Sequence, residues 1–172
     1  MTDKDHLPYF NIFLTEPAEA AHDWPDFGDV MTRQLQGVTF GRKMTGITSK
    51  IEEIWRRKTL AYINPETGLL RRPETSYCQS AEDPGDQALT LYALVTDYAD
   101  NPGSELKSAV VKMCAGMEKI RDDTLGSDFN GFALKGFMAA VRYAGVEDAL
   151  KTAAHIADNI MNKDSLYNCR GQ

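Results

Sequence analysis

The chain has 172 residues, 42% of them hydrophobic and 26% charged, and a net charge of −6. That is enough apolar material for one domain with a sizeable core, and the acidic balance supplies no basic stripe for binding nucleic acid. No stretch reaches the ~18 uninterrupted apolar residues of a membrane span, and the start Met-Thr-Asp-Lys-Asp-His-Leu-Pro lacks the basic-then-apolar order of a leader. The sequence therefore reads as a soluble, cytoplasmic protein with no nucleic-acid or membrane partner.

Residues 1–25 read as an N-terminal arm. Its apolar run from Leu7 to Leu14 is too short and irregular for a core helix, and is expected to lie across the first helix pair. A first helix over 26–45 carries Val30, Met31, Leu35, Val38, Phe40 and Met44, with Gly28, Gly37 and Gly41 interspersed. Each glycine costs a helix about 1 kcal/mol relative to alanine, so close approach of neighbouring helices is the expected compensation. A second helix over 49–63 sets Ile51, Ile54, Trp55 and Tyr62 against Glu52, Glu53, Arg56, Arg57 and Lys58, the pattern of a surface helix.

The connection over 64–85 is rich in turn formers and contains Pro65, Pro73 and Pro84; loops of that length in compact domains are commonly functional. The third helix, 86–99, is apolar nearly all round through Ala88, Leu89, Leu91, Ala93, Leu94 and Val95, which demands burial on every side. The fourth, 104–121, has Ser104 as its expected N-cap and presents Leu106, Val110, Met113, Met117 and Ile120 at helical spacing. A second loop, 122–131, leads into another apolar helix from Phe132 onward. An amphipathic sixth helix over 146–162, with Leu150, Ala153, Ala154, Ala157, Ile160 and Met161, precedes a tail at 163–172.

An apolar helix is thus followed by an amphipathic one three times, with short hinges at Gly46, Gly103 and Gly145. Those glycines are 57 and 42 residues apart, which excludes a strict 34-residue tetratricopeptide period and leaves a HEAT-like solenoid or an α/α toroid. Both long loops feed an apolar helix and so fall at one end, as in a toroid. The expected fold is all-α, with three inner/outer helix hairpins forming part of an (α/α)6-type toroid over 26–162. Helices one, three and five would be its inner members.

Three cysteines, Cys78, Cys114 and Cys169, and three histidines, His6, His22 and His155, show no metal-ligand spacing. No phosphate loop, dinucleotide fingerprint, His-Glu-x-x-His or Gly-x-Ser-x-Gly motif occurs. No metal and no cofactor are expected.

The stretches Trp24-Pro25-Asp26-Phe27-Gly28-Asp29-Val30, Phe40-Gly41-Arg42-Lys43-Met44-Thr45-Gly46, Arg72-Pro73-Glu74-Thr75 and Gly85-Asp86-Gln87-Ala88-Leu89-Thr90-Leu91-Tyr92-Ala93-Leu94 resemble the α/α-toroid carbohydrate-active enzymes. These comprise the β-L-arabinofuranosidase-like and unsaturated glucuronyl hydrolase-like groups and their uncharacterised bacterial relatives. The Arg-Gly-Gln-x-Trp stretch of the second group is reduced here to Gly85-Asp86-Gln87, without the arginine and the tryptophan. A complete toroid has six pairs, so the chain resembles the N-terminal half of one. A C-terminal half or a second copy is the expected means of closing the ring.

The resemblance implies a glycoside hydrolase-like activity on saccharide, at the funnel end formed by the starts of the inner helices. Hydrolysis needs two carboxylates on different loops, roughly 5–5.5 Å apart for retention and 6.5–9.5 Å for inversion. Asp29 and Asp86, each beside a glycine where an apolar helix opens, are the expected catalytic pair. Trp24, Asp26, Arg71, Arg72, Tyr77, Glu82 and Phe129 are the expected substrate contacts, the rings by stacking and the arginines by bidentate hold on a carboxylate. Asp83 and Asp128 stand at the same helix starts. Capping its helix is the default role of every such acid, and anchoring its loop the default role of each ring or arginine. The alternative function is a non-catalytic helical module whose open edges pair with another chain. A toroid acting on isoprenoids finds no Asp-Asp-x-x-Asp run.

Overall fold

The computed structural model describes residues 11–21, 27–72, 74, 79–123 and 127–163. Six α-helices form the body: α1 (Thr32–Thr45), α2 (Lys50–Ala61), α3 (Pro84–Asp100), α4 (Ser104–Ile120), α5 (Ser127–Ala144) and α6 (Ala149–Lys163). Within the arm, two three-residue strands, β1 (Asn11–Phe13) and β2 (Glu19–Ala21), pair antiparallel with Ile12 opposite Ala20. The body is all-α, and this hairpin is an addition that helical periodicity does not register.

The central element is α3. It packs against α1, α4 and α5, and α5 in turn packs against α6. Burial of Ala88, Leu89, Leu91, Ala93, Leu94 and Val95 agrees with its all-round apolar pattern. Leu106, Val110, Met113 and Met117 of α4 are buried as their spacing requires, and join Leu91, Leu94, Phe137, Ala140 and Ile156 in one core. Burying side chains of this kind stabilises by roughly 1.5–3 kcal/mol each.

The other expectations need correction at particular residues. The first helix opens with a π-helical turn, Phe27–Met31, before α1 proper. Only Thr32, Leu35 and Thr39 of α1 are buried, while Phe40 is exposed and Met44 is 87% exposed. An inner helix covered all round is therefore not what α1 is. Gly37 and Gly41 face open space, so close packing explains Gly28 alone among its glycines. In α2 the buried positions are Glu52, Trp55 and Thr59 rather than the isoleucines. In α6 the buried residues are Ala149, Thr152, Ala153 and Ile156, leaving Leu150 and Met161 exposed.

Helix ends follow local chemistry. Ser49 caps α2 by accepting from the Ile51 N–H, and Gly46 closes α1 in the left-handed region, its N–H donating to the Arg42 carbonyl. Gly145 is likewise left-handed, whereas Gly103 is extended and serves as the N-cap residue of α4 in place of Ser104.

The long connection between α2 and α3 is tied down. Bridges join Ile63 to Leu70 and Arg72 to Ala81, and Leu69 and Leu70 enter the core. Gly68, at φ +76°, lies against the Lys112 carbonyl of α4, where an added Cβ would come within 2.4 Å of the oxygen. Gly116 of α4 gives the matching space to the Thr67 carbonyl. The loop is thereby clamped across α4, which fixes where its acids and arginines emerge.

Candidate functional site

The starts of α1, α3 and α5 converge. An added Cβ on Gly28 would lie 2.4 Å from the Asp86 Cβ, and one on Gly85 would lie 2.7 Å from Cε1 of Phe129. Small residues are thus required where the opening turns meet, which brings Asp29, Asp86 and Phe129 to one rim.

Asp86 is only 3% exposed. Arg72 Nε donates to its Oδ2 at 2.6 Å, and the other arm of the guanidinium reaches Asp83 Oδ2 at 3.6 Å. Burial pushes the Asp86 carboxyl up to about 6, against the Arg72 hydrogen bond and charge, and the charges of Asp83 and Asp29 add to the rise. Asp86 is therefore a carboxyl that can hold a proton near neutrality. Asp29, half-exposed in the π-helical turn, is ion-paired with Arg33 one turn on. π-Helical turns recur at functional sites. One turn beyond Asp86, the buried Thr90 hydroxyl has no hydrogen-bond partner among the described residues.

The remaining expected contacts divide. Arg72 belongs to the site through Asp86. Glu82 faces its own loop, accepting from Asn64 Nδ2 and Thr67 Oγ1, each at 2.9 Å, and so anchors the 64–68 turn rather than facing the rim. Arg71 is exposed and donates to Ser80 Oγ at 2.9 Å. Asp83 is the N-cap of α3, its Oδ1 accepting from the Gly85 N–H at 2.9 Å. Phe129 also lines a small apolar crevice with Pro84, Met117, Ala133, Phe137 and Ile156. Trp24, Asp26 and Tyr77 lie outside the described residues, as does the side chain of Asp128.

Gln87 is fully buried and holds the loop to the helix. Its Nε2 donates to the Leu70 carbonyl at 2.8 Å, and its Oε1 accepts from the Leu70 N–H at 2.6 Å. A polar residue inside an apolar helix must find such partners. Gln87 thereby sets the position of Arg72, two residues past Leu70.

A second polar cluster lies at the opposite end of α3 and is absent from the expected site. Arg42 donates to both oxygens of Glu52 at 2.8 and 2.9 Å and pairs with Asp100 at 2.5 Å. Arg56 pairs with Asp97 through both guanidinium arms and reaches Glu52 at 3.3 Å, while Lys43 meets Asp100 at 3.3 Å. The Arg42 hydrogen bonds hold Glu52 and Asp100 below the usual carboxylate range. Three cations and three acids cancel, so the cluster fastens α1 and α2 to α3. A groove of about 260 Å³ beside it is lined by Thr48, Ser49, Glu53 and Asn101 together with Arg42, Glu52 and Arg56. The sequence signal was available: Asp97 is a charge following the apolar run Ala88–Val95 of α3, and Glu52 and Arg56 are four residues apart.

Among the described residues no cluster of three or more His, Cys, Asp or Glu side chains is arranged to hold a metal ion, and no helix is long and apolar enough to cross a membrane. Cys114 is buried, and its thiol is pushed up to about 12 by that burial, which makes it a packing residue rather than a nucleophile. No family model, curated protein or solved structure matches the chain.

Proposed function

We propose that this chain is a carbohydrate-active module of the α/α-toroid kind, glycoside hydrolase-like, with saccharide bound where the loops meet the starts of α1, α3 and α5. Asp86 is the proton donor, Asp29 the second carboxylate, and Arg72 the residue that orients Asp86. The observation that carries this reading is the buried Asp86 carboxyl, pushed up to about 6 at the start of the central helix. A general acid works best with a pKa near the working pH. The close packing of Gly28 on Asp86 sets the Asp29 turn beside it.

The test is turnover of p-nitrophenyl arabinofuranosides and glucuronides and of oligosaccharides by the wild type, Asp29→Asn and Asp86→Asn. Loss of turnover by about 10²-fold or more, with helicity retained, is expected for Asp86→Asn. Equal turnover in wild type and both variants rejects the assignment, and so does the absence of any turnover or saccharide binding.

The second reading, a helical module that pairs with another chain, is favoured by large apolar side chains left uncovered on α1 and α5: Phe40, Met44, Phe132, Met138 and Tyr143. A second copy or further helices would complete the toroid in this reading.

A further inference from the structure

Among the described residues, one side of α5 is only partly covered. Phe132, Lys135, Met138 and Arg142 recur at intervals of three and four residues and so share it, and Tyr143, about three turns past Phe132, falls on its Phe132 edge. Phe132 is 36% exposed, Met138 46% and Tyr143 51%, on a helix that also packs against α3 and α6. From Phe129 to Ala144 the helix carries two cations and no acid. Lys135 Nζ lies 4.0 Å from the ring centroid of Tyr92 on α3, and Arg142 lies over Tyr143 at 5.2 Å. At the N-terminal end Arg33 of α1 lies 5.4 Å from the Phe132 ring. Asp29 matches the charge of Arg33. Neither Lys135 nor Arg142 has a carboxylate partner among the described residues, although the chain as a whole carries −6.

We propose that this face docks an acidic amphipathic helix of a partner polypeptide, its apolar stripe on Phe132, Met138 and Tyr143 and its carboxylates on Lys135 and Arg142. The inference rests on the second reading above and names the partner's chemistry. Charge complementarity selects this occupant. A second copy docking by the same face would set Lys135 and Arg142 against their own equivalents, because a two-fold interface is self-complementary. A saccharide needs free ring planes for stacking, and here a cation already lies over each ring. An apolar stripe flanked by glutamates satisfies both the cations and the exposed side chains, the usual helix-in-groove arrangement.

The probe is a fluorescein-labelled peptide of about 18 residues with leucines on one helical face and glutamates flanking them; its control has glutamine for glutamate. Anisotropy titration is expected to show saturable binding that weakens at least about tenfold between low and high salt, as screening of surface charge requires. Lys135→Glu with Arg142→Glu is expected to abolish binding with melting unchanged, since both side chains are exposed. Equal binding of the glutamine peptide, or competition by oligogalacturonate stronger than by the peptide, overturns the proposal. Sedimentation of the protein alone separates the two levels. Self-association lost in the double variant, without peptide binding, refutes the acidic partner and leaves the interaction-module reading standing. A monomer that binds no peptide refutes both.

Discussion

Replacing Asp86 by asparagine removes a titratable group whose folded pKa is about 6, against about 3.9 for an unfolded aspartate. The folded state therefore binds more protons than the unfolded state between those values, and stability falls as pH rises through the window. The contribution is fully present below about pH 4 and is lost above about pH 6. Two pKa units correspond to about 3 kcal/mol, of which about 2 kcal/mol is lost between pH 4.5 and 7.5. Asparagine keeps an oxygen for the Arg72 hydrogen bond and does not titrate. Urea unfolding of both proteins across that range isolates the effect, because the other titrating groups are common to both and cancel in the difference. The wild type is expected to lose about 2 kcal/mol relative to the variant, mostly between pH 4.5 and 6.5. A flat difference, or one in which the wild type gains on the variant as pH rises, would refute the reasoning. It would mean that the Arg72 pair outweighs burial and holds Asp86 ionised, and the proton-donor role would fall with it.

Two other substitutions probe the scaffold that positions this rim. Gly68→Ala meets both a left-handed φ of 76° and the Lys112 carbonyl, and is expected to cost about 2 kcal/mol or more, read as a lower urea midpoint. An unchanged midpoint would mean that the 64–70 loop is not clamped on α4. Glu52→Ala removes the acid shared by Arg42 and Arg56; those arginines keep Asp100 and Asp97, so the expected loss is about 3 kcal/mol, the low end for a broken buried pair. A loss under about 1 kcal/mol, the range of a surface pair, would show that Glu52 is a solvated residue, as the amphipathic pattern of α2 implies.

The sequence by itself determined the six helices, their order in three pairs and the burial of α3 and of the Leu106-Val110-Met113-Met117 stripe, because periodicity and turn chemistry are local properties. It also placed Asp86 with Asp29, each beside a glycine at the opening of an apolar helix, and Arg72 with Arg71 among the expected rim residues, without distinguishing the members of either pair. What it did not supply is which side of each helix finds a neighbour. The first helix reads as apolar, yet its Phe40 and Met44 are exposed, while α2 buries Glu52 instead of its isoleucines because two arginines and a threonine surround the carboxylate. Glu82 and Arg71 read as rim residues, yet their side chains hold the loop. Gln87, noticed in the sequence only as part of the Gly85-Asp86-Gln87 stretch, sets the path of that loop through two hydrogen bonds to Leu70. A pairing partner on another element or across a loop leaves no mark on periodicity. Only tertiary packing decided that Asp86 is buried beneath Gly28 and Arg72, and it is this burial that moves its proton affinity toward neutrality.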